Sequence, residues 1–372
     1  MSERWRKQLA LLGRMDWVIV GAMVVLAVMS VLFIYSASYR GPGQAMPDFY
    51  RQQMVWFVLG TVAFVGAAWV DYRWLCQWAT VGMVLAVGLL VLVLAVGKTV
   101  NGAKSWLGWG GYGIQPAEFA KLSVIVALAY YLFDRTPEAR GRWKTTGTAL
   151  GIAAVPMGLI LAQPDLGSAM VLVPVAYAML FVGGARIKQL VWVAALGLAM
   201  SPVAWWQLKD YQKARLTVFL KPEKDPLGSA WNLNQSLIAV GSGGLTGKGY
   251  LDGTQNLLGY LPRTVAPNDF LFSVIAEETG FLGAVAVIGC YAVILFSGLR
   301  IAAHARDRLG TLLATGVVAM LFFHVFINIG MTIGLMPITG LPLPLLSYGG
   351  SFVIASMTAL GLLQSVWVRR RI

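Results

Sequence analysis

The chain has 372 residues, 58% of them hydrophobic and only 12% charged. A soluble globular protein carries about twice that share of charge, so a soluble enzyme, a secreted disulfide scaffold and a disordered tail are all excluded. The net charge of +13 would suggest nucleic acid on a soluble chain, but in so apolar a sequence its placement matters more than its sum.

Ten hydrophobic stretches follow one another, at 16–36, 54–71, 75–97, 117–133, 147–162, 167–184, 188–206, 270–298, 309–334 and 351–368. Each is long enough, or nearly so, for the roughly 20 helical residues that cross a bilayer. β-barrel alternation is absent, and a helix satisfies its own backbone within lipid. The expected fold is therefore an all-α polytopic membrane protein, one integral-membrane domain over 1–372 with ten spans. The basic N-terminus precedes a stretch too long for a signal-peptide core and reads as a retained first helix.

The lysines and arginines orient the chain. With residues 1–15 inside, the inner segments hold 17 of them, from Arg4 to Arg371, while the short outer loops hold four, Arg40, Arg51, Lys98 and Lys104. That asymmetry is the positive-inside pattern, so the basic excess is a topology signal and no nucleic-acid partner is expected. Both termini, the second being 369–372, fall in the cytoplasm. Between the seventh and eighth stretches, 207–269 forms an outer loop far longer than a connector needs. Cys76 and Cys290 sit in or beside apolar stretches and read as packing residues.

Ionisable groups within membrane stretches are costly and mark candidate functional positions. Glu118 and Lys121, three apart on one helical face, form a candidate buried ion pair. Asp165 lies in an outer turn, able to cap the next helix or to act directly. Asp269 opens the eighth stretch, where its carboxylate would face an outer cavity bordered by the loop's cations; an N-cap is the plainer alternative. Glu277 and Glu278 follow about two turns deeper, and at least one needs a partner from another helix. His324 and Asn328, one turn apart, suggest a helix–helix hydrogen bond.

Gly241-Ser242-Gly243-Gly244-Leu245-Thr246-Gly247-Lys248-Gly249 looks superficially like a phosphate-cradling loop, but lacks the strand–helix context and the ending of a nucleotide-binding loop. A tight backbone beside a pyrophosphate-bearing substrate remains compatible with it. Gly340-Leu341-Pro342-Leu343-Pro344, followed by Ser347-Tyr348-Gly349-Gly350-Ser351, is a second non-helical stretch, the kind of backbone that lines a cavity at membrane depth. HExxH, CxxC, G-x-S-x-G and a βαβ-type GxGxxG are all missing from the sequence, which leaves metal-hydrolase, serine-hydrolase and dinucleotide chemistry unsupported.

These segments together resemble the SEDS (shape, elongation, division and sporulation) family, of the RodA type. The resemblance rests on Gln115-Pro116-Ala117-Glu118-Phe119-Ala120-Lys121, on Gln163-Pro164-Asp165-Leu166-Gly167-Ser168, and on Lys221-Pro222-Glu223-Lys224-Asp225-Pro226-Leu227-Gly228. It continues through the 241–249 glycines, Gly253-Thr254-Gln255, Asp269-Phe270 with Glu277-Glu278, and 340–351. The glycine-lysine-glycine and glycine-threonine-glutamine elements favour RodA over the division homologue FtsW.

The resemblance implies a peptidoglycan glycosyltransferase of the bacterial inner membrane that polymerises lipid II, with a class B penicillin-binding protein as transpeptidase partner within the elongation machinery. It implies Asp269 as general base for the acceptor hydroxyl. Arg215, Lys221 and Lys248 are the candidates for steadying the pyrophosphate, with Asn268, Gln255 and Ser347 as further substrate contacts. Glu118, Lys121, Asp165 and Glu277 would shape the cavity. No organic cofactor is expected; a divalent cation, Mg2+ or Mn2+, is compatible with the chemistry and Asp269 is its candidate ligand. A lipid II flippase and a non-catalytic scaffold for a partner polymerase are the rival readings. The sequence departs from the family at one place: Pro267-Asn268 stands where a His-Thr or His-Ser pair usually precedes the aspartate, after a run two residues longer. Asn268 and Thr264 are the candidates to replace that pair.

Overall fold

The computed structural model describes residues 13–39, 48–100, 102–109, 112–221, 223, 230–262 and 265–370. The motif residues Pro222 and 224–228, together with Arg263 and Thr264, lie outside them, as does most of the basic N-terminus.

The chain is mainly helical. α1 (Trp17–Ser38) is capped by Asp16, whose side chain accepts from the Val18 N–H. α2 (Phe49–Trp69), α3 (Tyr72–Gln77) and α4 (Ala79–Val96) follow. The third apolar stretch is thus divided at Trp78, with α3 capped by Asp71. α5 (Pro116–Phe133) opens on a proline, which suits the first helical position because it has no N–H to satisfy. A short α6 (Pro137–Arg140) leads to α7 (Trp143–Ala162), α8 (Leu166–Val182), α9 (Ile187–Ala199), α10 (Ser201–Gln207) and α11 (Asp210–Leu220). α12 (Trp231–Ser242) and α13 (Thr254–Leu257) complete the long connection, and α14 (Leu271–Ala303), α15 (Arg308–Thr332) and α16 (Gly350–Val368) close the bundle.

Eight of these helices are long and apolar enough to cross a membrane, while Leu166–Val182 and Ile187–Val203 are apolar but shorter. The protein is a multi-pass membrane protein. α5, α15 and α16 are buried at its centre, and α1, α2, α4, α7 and α14 turn wide apolar faces outward, as lipid contact requires. α2 and α16 approach closely where side chains are absent. A Cβ on Gly60 would overlap Met357, one on Gly350 the Trp56 ring, and one on Gly361 the Phe64 carbonyl. Small residues are what allow membrane helices to pack backbone to backbone.

The fold is not purely α. Between α4 and α5 the chain makes a three-stranded antiparallel sheet, β1 (Lys98–Val100), β2 (Ala103–Trp109) and β3 (Tyr112–Ile114), in the order β1-β2-β3. The all-α expectation misses it because strands of three to seven residues interrupted by glycine carry almost no periodic signal. Lys104 fastens the sheet to the bundle by donating to the Leu94 and Ala95 carbonyls, both at 2.9 Å, at the end of α4. A cation there also meets the negative end of the helix dipole.

α14 breaks at Gly280, whose φ of 67° and ψ of −162° are open only to glycine. An unbroken helix would bond the Phe281 N–H to the Glu277 carbonyl and the Leu282 N–H to the Glu278 carbonyl. The glycine segment 241–249 is spliced between them. Phe281 N donates to the Gly244 carbonyl at 2.9 Å and Leu282 N to that of Leu245 at 3.1 Å. Lys248 N and Gly249 N donate to the Glu277 and Glu278 carbonyls, both at 3.0 Å. Two helical bonds become four inserted ones, so the break leaves these backbone groups satisfied. The glycine pattern serves this joint: a Cβ on Gly247 would overlap the Glu278 carbonyl and one on Gly243 that of Ala276.

Candidate active site

The site is a cavity of about 530 Å³ where the sheet, the start of α8, one face of α11 and the 337–352 segment meet. Its charged and polar lining includes Asp269, Asn268, Asp165, Arg215, Tyr211 and Gln115. Lys98, Ser105 and Trp106 of the sheet complete it on one side, and Trp56, Tyr348 and Phe352 on the other.

Asp269 ends the turn that precedes α14, its N–H donating to the Val265 carbonyl at 2.9 Å. Asn328 of α15 holds this turn, its Nδ2 donating to the Asp269 carbonyl at 3.0 Å and to that of Leu341 at 2.7 Å. Ser347 donates to the Asn268 carbonyl and accepts from the Leu343 N–H at 2.8 Å, and the Tyr348 N–H donates to the Pro267 carbonyl at 2.9 Å. The turn is thus tied from beneath through its backbone, and the carboxylate is left over. Among the described residues it accepts no hydrogen bond and joins no ion pair, so it is not an N-cap. Burial pushes the Asp269 carboxyl up to about 6; Arg215 opposes the rise and Asp165 adds to it.

Arg215 faces Asp269 across Gly340. A Cβ on that glycine, which holds φ 74°, would stand 3.6 Å from Asp269 Oδ2 and 3.8 Å from Arg215 Nη1. A side chain at 340 would intrude between the two charges. Arg215 Nη1 donates to the Thr339 carbonyl at 3.3 Å and its guanidinium lies 5.7 Å from the Tyr211 ring centre. Tyr211 in turn donates to the Pro164 carbonyl at 2.7 Å. Asp165 both caps α8 and lines the cavity. Its Oδ1 caps α8 by accepting from the Ser168 N–H at 3.0 Å, while Oδ2 accepts from Gln115 Nε2 at 2.8 Å on the cavity wall.

The other expected residues fall elsewhere. Glu118 and Lys121 form the anticipated buried pair at 2.9 Å, and Lys121 also meets His324 Nε2 at 3.0 Å; neither lines the cavity. His324 and Asn328 therefore serve different partners. Ser347 lies fully buried below Asn268 and contacts protein rather than the cavity. Lys221 is exposed at the end of α11 and outside the lining. Lys248, Gln255 and Glu277 sit together at the helix break. Lys248 Nζ bonds Glu277 Oε1 at 2.6 Å, and the Gln255 N–H and Thr254 hydroxyl donate to the same oxygen at 2.9 and 3.1 Å. Of the cations expected to meet a pyrophosphate, the cavity holds only Arg215.

Sequence reasoning passed over Tyr211, Thr339, Trp106 and Lys98. The broken backbone at 340–344 was the signal for Thr339, one residue upstream of it. The sheet residues gave none.

No group of three or more His, Cys, Asp or Glu able to hold a metal exists among the described residues. Asp269 and Asp165 give the cavity two carboxylates. That fits a cation arriving with substrate phosphates, since Mg2+ is commonly held by one or two carboxylates together with them; it does not make an all-protein metal centre.

Such a bundle, with a cavity lined by both charged and apolar side chains at the ends of its helices, defines a membrane-embedded protein whose candidate site lies at one end of the bundle. The chain matches the FtsW/RodA/SpoVE cell cycle protein family over residues 16–372 and belongs to it. It is 35% identical to the peptidoglycan glycosyltransferase RodA of Treponema pallidum, over 95% of this chain and 98% of that one. It is 37% identical to the peptidoglycan glycosyltransferase MrdB of Escherichia coli K12, over 94% of this chain and 92% of the relative. Among solved structures it resembles a chain from a peptidoglycan synthase complex that coordinates polymerization and crosslinking, with a TM-score of 0.81 and 32% identity, covering 96% of this chain and 98% of that one.

Proposed function

We propose that the chain is a RodA-type peptidoglycan glycosyltransferase that polymerises lipid II, with Asp269 as its general base. The observation that carries the assignment of the base is the unpaired Asp269 carboxylate, facing the cavity with Arg215 on the other side of Gly340. The names of relatives at 35% and 37% identity over nearly the whole chain support the reaction.

Asp269 takes the proton of the acceptor sugar hydroxyl. That oxygen attacks the anomeric carbon of the donor glycan from the face opposite its phosphate, the carbon–phosphate-oxygen bond breaks, and undecaprenyl pyrophosphate departs with the electron pair. The anomeric configuration inverts. A base poised near 6 is ionised at neutral pH yet still takes up a proton readily. Positive charge developing at the sugar and negative charge on the leaving pyrophosphate call for fixed charges nearby. Arg215 is the candidate for the pyrophosphate, and Asn268 for the sugar in place of the family's usual histidine pair. Asp165, with Asp269, is the candidate to hold a divalent cation carried in by the pyrophosphate, which would neutralise its charge.

The proposed topology has ten spans, counting the two shorter apolar helices, with both termini in the cytoplasm and the cavity on the outer face of the bacterial inner membrane. The chain is one domain, with 1–15 and 369–372 inside and 207–269 outside. A class B penicillin-binding protein is the proposed transpeptidase partner, in keeping with the similarity to a synthase complex.

The test is polymerisation of labelled lipid II by the purified protein with such a partner, its transpeptidase blocked. Wild type should yield long glycan strands, and an inserted, folded Asp269→Ala variant none. Equal product from both would remove Asp269 as the base. No product from either, in a folded complex, would return weight to a flippase or a scaffold.

A further inference from the structure

At the end of the bundle opposite the cavity, three arginines converge on two glycine turns. α5 and α8 both begin at the cavity and α15 runs toward it, so 134–143, 183–187 and the start of α15 lie at the far end. Gly184, at φ 87°, turns the chain after α8. A Cβ there would stand 3.5 Å from Arg140 Cβ and 3.5 Å from Arg308 Nη2. A Cβ on Gly141 would stand 2.9 Å from Arg186 Nε. Buried Gln189 joins the two turns, donating to the Gly141 carbonyl at 3.1 Å and accepting from the Arg186 N–H at 2.9 Å.

Among the described residues, none of these three arginines is in an ion pair, and no carboxylate lies within ion-pair distance of Arg140, Arg186 or Arg308. The neighbouring acids are engaged or outlying. Asp134 pairs with Arg135 at 3.5 Å, Asp307 pairs with Arg73 at 2.5 Å, and Glu138 is fully exposed, near enough to Arg140 and Arg142 to feel their charge. Arg308 spends Nη2 on the Gly183 carbonyl, while its Nε is buried with no hydrogen-bond partner. Like charges held together repel, and a buried donor left unmade is costly. One anion with several oxygens answers both, and the guanidinium fork matches phosphate geometry.

The surroundings choose between a phosphate from lipid and one from solution. Trp143, Phe181 and Ile187, which open or close the helices at these turns, are 56%, 60% and 69% exposed. An aromatic and apolar rim around guanidinium groups is the composition of a membrane–water boundary. We propose that Arg140, Arg186 and Arg308 bind the phosphate of an anionic phospholipid headgroup, with Trp143, Phe181 and Ile187 beside its acyl chains.

The test compares thermal unfolding of the full-length protein in detergent on adding phosphatidylglycerol, phosphatidylcholine or inorganic phosphate. The variant pair is Arg140→Ala with Arg186→Ala, which spares Arg308 and its structural bond to Gly183. Phosphatidylglycerol should raise the Tm of wild type by about 3 °C more than phosphatidylcholine, and the double variant should lose most of that difference. Equal effects of the two lipids, or a full response in the double variant, would overturn the proposal. A saturable shift of the same size with inorganic phosphate alone would overturn the lipid source and leave a soluble anion. Should the double variant fold poorly, native mass spectrometry of wild type serves instead. Selective retention of one phosphatidylglycerol supports the site, and retention of both lipids alike counts against it.

Discussion

Asn328 Nδ2 donates to the backbone carbonyl of Asp269 at 3.0 Å and reaches the Leu341 carbonyl with the same nitrogen. One amide therefore fixes the position of the proposed base without touching its carboxylate. It joins the turn before α14 to the broken segment that forms the cavity floor.

Replacing Asn328 with alanine should displace the base rather than remove it. Polymerisation should fall roughly 10- to 100-fold, the order of loss that a shift of about 1 Å can cause. The half-activity pH should stay where wild type has it. A variant that keeps full turnover would show that Ser347 and Tyr348 alone secure the turn.

Activity should rise with pH through about 6, where Asp269 loses its proton. Pre-steady-state polymer formation over about pH 5 to 8 would read this directly. A flat profile across that range would mean that proton removal by Asp269 does not limit the step followed.

Stability should run the other way at this residue. The folded carboxyl sits at about 6, above its ordinary 3.8, because burial disfavours the charged form. Its favourable contribution is complete below the ordinary value and is lost as pH rises through 6. Above that, the ionised group costs up to roughly 3 kcal/mol. Asp269→Asn should therefore raise Tm at about pH 8 while abolishing polymerisation, and the gain should shrink toward about pH 5. A variant less stable than wild type at high pH would contradict this.

The Glu118–Lys121 pair is buried on both sides. Glu118→Ala should cost about 3 to 5 kcal/mol by stranding the lysine beside His324. A double replacement, Glu118→Leu with Lys121→Met, should recover most of the Tm. Failure of that recovery, in a folded protein, would point to a functional demand for the charges.

Lys248 separates two readings of the glycine segment. If it serves the joint at Gly280, Lys248→Ala should lower stability by roughly 2 kcal/mol, less than for a fully enclosed pair because its side chain is partly exposed. The KM for lipid II should then remain near that of wild type. A large rise in KM at unchanged Tm would restore the pyrophosphate reading.

Eight spans were legible because lipid leaves hydropathy few alternatives; Asp165, read as a cap or a functional acid, is a cap on the cavity wall. Asp269 could be singled out because it opens an apolar stretch directly after the long outer loop, where a carboxylate would face that loop's cations. Lys248 and Gln255 were drawn toward the substrate because their partner, Glu277, is more than twenty residues away and no local pattern announces it. The break at Gly280 was not legible either, since the stretch 270–298 has the length of one span and resumes its apolar run at Phe281-Leu282 after Glu277-Glu278-Thr279. Arg215 and Asp269 meet only through the fold of 337–342, which chain order does not reveal.

The splice at Gly280 divides the long connection into two parts held by different means. From 244 to 249 the chain is keyed to α14 through backbone bonds, so a one-residue insertion there would slip the register and strand both glutamate carbonyls. Among the described residues, α11 makes no backbone bond to α14 and is held instead by its Tyr211 and Arg215 side chains. Any tag or labelling site placed by an experimenter should therefore avoid both the 241–249 glycines and the cavity-lining face of α11.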